Sequence, residues 1–108
     1  ATMVERLTQQ VEKEERDVTV LRAVIADGPI GIVNLADETG YSEHKVRYSL
    51  RMLESDEFIE PTPDGAVPAD DIEERLDSVN EGLSSLIDRL ADLKSSKPVV
   101  ADQSTSSD

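Results

Sequence analysis

Cysteine is absent from the 108 residues, which excludes disulfides and thiolate-bound metal, and it leaves His44 as the one strong nitrogen ligand for a transition metal. Aromatic side chains are nearly absent too. Tyr41, Tyr48 and Phe58 are all there are, so any core is built from Leu, Ile, Val and Ala and is modest, a situation in which a partner helps folding. Lysine is scarce, with only Lys13, Lys45, Lys94 and Lys97, and the balance of 24 acidic against 11 basic residues gives a formal net charge of -13. No apolar run approaches the roughly 20 residues that cross a bilayer, and no basic start followed by an apolar stretch resembles a signal peptide, so a cytoplasmic location is expected. No phosphate-binding glycine loop, metal cluster or paired nucleophile and base is present, and a lone His on a short helical chain argues against an enzyme. No cofactor and no small-molecule ligand are expected.

The length allows one compact domain plus extensions. Val4, Leu7, Val11, Glu14, Val18, Leu21 and Ile25 recur at alternating three- and four-residue spacing, a helical seam interrupted by one acid. This predicts a first helix over about residues 4–26, with a possible break near the charged run from Glu12 to Asp17, ended by Asp27-Gly28-Pro29. Residues 30–39 predict a short second helix with Ile32, Leu35 and Ala36 on one side and Gly40 as its stop. Ser42 supplies an N-cap for a third helix to about Ser55. At 100° per residue, Val46, Ser49, Leu50 and Leu53 gather on one face of it, and His44, Arg47, Tyr48 and Arg51 on the other. Phe58-Ile59-Glu60, the turn formers Pro61–Gly65 and Ala66-Val67 predict a small hairpin. From Asp70 onward, Ile72, Leu76, Val79, Leu83, Leu86, Leu90 and Leu93 follow a strict heptad, which a coiled coil or an intersubunit helix pair explains better than packing on a globular core. Residues 95–108 are Ser-rich and polar and are expected to be disordered.

Residues 29–60, PIGIVNLADETGYSEHKVRYSLRMLESDEFIE, carry a small "LA" pair in the second helix, a Gly-x-Ser turn and a third helix of the form KVRYxLxxL followed by a short acidic turn. In these features the chain resembles the archaeal winged helix-turn-helix transcription regulators, over about residues 18–68. The acid-rich, Lys-poor surface likewise resembles that of proteins from salt-accumulating archaea, where screening shortens electrostatic reach to roughly 3 Å at 1 M salt. The resemblance implies a mainly α fold, a winged helix-turn-helix with a small β-hairpin wing, plus an additional C-terminal coiled-coil-like helix. The expected organisation is an N-terminal helical extension at 1–17, the winged-helix domain at 18–68, a dimerisation helix at 69–94 and the tail at 95–108.

The implied site follows from the same match. The helix from Ser42 becomes the recognition helix in the major groove of double-stranded DNA, with Ser42, His44, Lys45, Arg47, Tyr48 and Arg51 as the DNA-binding candidates. Arg47 suits bidentate contact with guanine, Lys45 and Arg51 suit phosphate, and Tyr48 suits a phosphate or a sugar. The pattern departs from the family where Asp56-Glu57 stands in place of a common Gly, and where the wing carries Glu60 and Asp64 with no Lys or Arg. An acidic wing is poorly suited to gripping phosphate. A homodimer through Ile72, Leu76, Val79, Leu83, Leu86, Leu90 and Leu93 would set two reading helices against paired half-sites. The competing reading is a winged-helix protein-protein adaptor that never touches DNA, since fold alone does not decide function.

Overall fold

A computed structural model describes residues 1–95; the expected disordered tail lies almost entirely outside the described residues. The elements run α1 (Met3–Asp27), α2 (Ile32–Thr39), α3 (Glu43–Ser55), β1 (Ile59–Thr62), β2 (Gly65–Pro68) and α4 (Ile72–Ser95). The architecture is a winged helix-turn-helix: three helices, a two-stranded antiparallel hairpin, then a C-terminal helix. The chain divides into two compact units, the first Ala1–Ile72 and the second beginning at Glu73.

The first helix is continuous through the charged run where a break was possible. Its start is fixed by a capping box: the Glu5 amide donates to Thr2 Oγ1 at 3.1 Å, and the Thr2 amide donates to Glu5 Oε1 at 2.8 Å. The sequence seam, however, is not the buried face. Val18 and Ile25 are each 41 % exposed, and the side chains that pack are Asp17, Val20, Leu21 and Val24. That set also follows the i, i+3, i+4, i+7 rule, rotated from the seam so that only Leu21 belongs to both. Val4, Leu7 and Val11 stay in solvent. The tertiary demand of packing on α2, α3 and β2 overrides the tidier heptad.

Leu35 of α2 is fully buried between α1 and α3. Gly40 ends α2 at φ 80, where a side chain would be strained, and its amide donates to the Ala36 carbonyl at 2.9 Å. The chain then turns through Tyr41 into Ser42, whose Oγ accepts from the Lys45 amide at 3.2 Å and starts α3.

Val46, Ser49 and Leu53 form the inner face of α3. Leu50, placed on that face by the sequence, is only half-buried and lies toward the wing, lining a surface cavity with Ile30, Pro61 and Ala66. The wing strands are longer than expected, because Pro61 and Thr62 pair with Ala66 and Gly65 instead of belonging to the turn. The wing is tied back to the helices where Ile30 and Ala66 exchange both backbone hydrogen bonds, at 3.1 and 2.8 Å.

In the second unit, α4 carries Glu73 and Glu74 in its first turn and Lys94 in its last, matching the helix dipole at both ends. Ile72, Leu76 and Val79 are half-buried, whereas Leu83, Leu86, Leu90 and Leu93 are exposed, as is Ile87 beside them.

Candidate nucleic-acid interface

The third helix presents His44, Lys45, Arg47, Tyr48 and Arg51 at its exposed surface, within one continuous arc opposite Val46, Ser49 and Leu53, and Ser42 is exposed at its N-cap. Within this arc the angular order is fixed by the helix repeat. Taking His44 as zero and 100° per residue, Tyr48 and Lys45 lie progressively to one side, and Arg51, Arg47 and Glu54 to the other. The first side faces α1, since Lys45 and Tyr48 share a surface cleft with Lys13 and Arg16. The second side faces the wing, where Glu54 and Leu50 share a cavity with Thr62 and Asp64.

Sequence reasoning left Tyr48 with two roles and no neighbours; the structure gives it two guanidinium groups. Arg16 and Arg51 lie 5.9 and 5.6 Å from its ring centroid, both within cation–π range. Arg16 is held as well by a hydrogen bond from its Nε to Ser49 Oγ at 2.8 Å. Ser49 is fully buried, and its hydroxyl is also hydrogen-bonded with the Asp17 carboxyl on α1. Buried hydroxyls need partners, and here α1 supplies both.

Among the described residues Asp17 is the one charged residue in the core. Burial is the main cause that pushes its carboxyl above the ordinary range; the Ser49 hydrogen bond opposes this, Glu14 adds to it, Arg16 opposes it and Asp56 adds to it. Its Oδ1 has no hydrogen-bond partner. At the far end of α1, Glu38 is hydrogen-bonded with Asp27, which raises the Glu38 carboxyl, with desolvation and the Asp27 charge adding to the effect.

Lys13, Arg16 and Asp17 were missed as contributors to this face. The available signal was Ser49 itself: a polar residue at the centre of the buried face of α3 demanded a polar partner, and the only long helix preceding it carried the charged run Glu12–Asp17.

Among the described residues no group of His, Asp and Glu is arranged to hold a metal ion, and no helix is long and apolar enough to cross a membrane. Residues 13–60 match the family model described as winged helix-turn-helix DNA-binding, and no curated protein matches the chain. The matched stretch runs from Lys13 through α2 and α3 into the first wing strand, so it contains the whole α1–α3 face and leaves out β2 and α4.

Proposed function

We propose that this protein is a sequence-specific, double-stranded-DNA-binding transcription regulator that inserts α3 into the major groove and works as a homodimer through α4. The observation that carries the reading is the charge of α3. Residues 44–53 hold three of the 11 basic residues and no acid, in a chain of net charge -13. A helix face kept free of carboxylates against that background is suited to a polyanion. Arg47, on the wing side of the arc, is the guanine reader; Lys45 and Arg51 are phosphate contacts, with His44 and Ser42 at the helix start.

Overall repulsion between an acidic protein and DNA is large at low salt and screened at high salt, which fits the cytoplasm of a salt-accumulating archaeon. The four exposed leucines of α4, at heptad spacing, suit a second copy of the same helix. Catalysis has no role in this reading.

The test is an anisotropy titration against genomic fragments in low and molar KCl, with Arg47→Ala and Arg51→Ala proteins confirmed folded. Loss of about 1 to 3 kcal/mol of specific affinity on Arg47→Ala supports guanine reading. Full affinity and selectivity in both variants would favour the protein-protein adaptor, in which the same surfaces bind proteins.

A further inference from the structure

The recognition arc is electrostatically lopsided. On the wing side it meets Glu54 and Asp64, with Glu60 on the strand between. On the α1 side it meets a cleft of about 360 Å³ lined by Lys13, Arg16, His44, Lys45 and Tyr48, among which there is no carboxylate.

We infer that this cleft between α1 and α3 seats a phosphodiester of the DNA backbone, so that α1, and not the wing, flanks the recognition helix on the duplex. The inference rests on the DNA-binding reading of α3 and extends its phosphate contacts to a second helix.

Three features of the cleft suit it to a phosphate. Its donors are fixed before any ligand arrives: the Arg16 Nε is engaged with buried Ser49 and its guanidinium lies over Tyr48, which leaves four N–H groups on the two terminal nitrogens for an outside acceptor. A guanidinium already immobilised loses little further entropy when an anion docks. Its cations come from two helices, so Lys13 and Lys45 approach an occupant from different elements while His44 supplies a further ring N–H. Its position is contiguous with the exposed arc of α3, so a backbone strand beside a groove filled by α3 passes over it. Phosphate contacts of this kind set the register of the protein on the duplex and carry no sequence information.

Carboxylates adjoin the cleft on the side of α1 away from His44 and Tyr48. Glu12 and Glu15 join Lys13, Arg16, Tyr41 and Lys45 in lining the adjoining cavity of about 390 Å³. An anion is therefore confined to the His44–Tyr48 side, and Glu12→Gln should strengthen binding to all sequences.

The experiment measures affinity of the full chain for a preferred fragment and for an unrelated duplex across a salt series, in the parent and in the Lys13→Gln, Lys13→Arg and Arg47→Ala variants, each checked by a thermal melt. Lys13→Gln is expected to weaken both duplexes by the same factor and to lower the salt slope by about one unit per bound chain, with Lys13→Arg restoring both. Arg47→Ala is expected instead to narrow the ratio between the duplexes. If Lys13→Gln changes neither affinity nor slope while Arg47→Ala weakens binding, the backbone seat is wrong and the reading of α3 stands. If the parent binds neither duplex, both fall together. Replacing chloride by inorganic phosphate at equal ionic strength adds a last arm: a phosphodiester seated in the cleft predicts that phosphate displaces DNA more readily from the parent than from Lys13→Gln, and equal displacement from both would place the competition outside the cleft and overturn the assignment.

Discussion

Glu57 offers a clean measurement of backbone strain. It sits at φ 65, the left-handed region, as the residue that ends α3. The Phe58 amide donates to the Leu53 carbonyl and the Glu57 amide to the Glu54 carbonyl, both at 2.9 Å, the paired bonds of a Schellman motif in which the left-handed position is ordinarily glycine. An L-residue there costs roughly 1–2 kcal/mol. Glycine removes that strain, but its freer unfolded chain takes back about 0.5–1 kcal/mol. Glu57→Gly should therefore stabilise the protein by roughly 0.5–1 kcal/mol, which for a domain of this size corresponds to an increase in Tm of about 2–8 °C. Removing one of 24 carboxylates from a chain of net charge -13 also relieves repulsion, so the control is Glu57→Ala, which loses the charge and keeps the strain. Urea melts followed by circular dichroism at fixed salt should rank Gly first, Asn next because it tolerates the left-handed region, and Ala below both, at constant m. An alanine variant as stable as the glycine variant would refute the strain argument and assign the gain to charge.

The raised carboxyl of Asp17 means that the fold favours its protonated form, so this contribution to stability is fully present below the unfolded-state value and is lost as pH rises through the higher folded-state value. Asp17→Asn should gain about 1 kcal/mol over the parent at neutral pH, with the difference closing as pH falls into the carboxylate range; a gap that stays constant with pH contradicts the burial argument. Leu83→Asp together with Leu90→Asp should halve the mass found by sedimentation equilibrium at high salt, from about twice 11.8 kDa to one chain; a monomeric parent removes the dimer proposal. Thermal midpoints should rise with KCl, since screening relieves the repulsion of a net charge of -13; an unchanged midpoint up to molar salt rejects salt adaptation as the reason for the acidity.

What the sequence made legible is what local rules govern. Gly40 and Ser42 mark the turn because a left-handed stop and a hydroxyl cap act within four residues, and α3 appears where its two faces separate at the helical period. The Asp56-Glu57 departure was visible for the same reason, and it coincides with the one non-glycine residue of positive φ in the described chain. The face of α1 that packs was not legible. Its regular seam of Val4, Leu7, Val11, Val18 and Ile25 is a pattern of one helix, whereas burial depends on which side meets α2, α3 and β2, and that meeting is set by residues far along the chain. Leu50 was misplaced for a related reason: helical angle alone puts it 60° from Leu53, but the space beside it is closed by a wing that stops short of covering it. The candidate site was half legible on the same grounds. The α3 candidates follow from a single helix wheel; Lys13 and Arg16 join them only because Ser49 and Asp17, two polar groups inside an apolar core, need each other across the α1–α3 contact. An apolar pair at those positions would bury more easily but would leave Arg16 without its anchor, so the polar contact in the core is what fixes a cation at the edge of the candidate site.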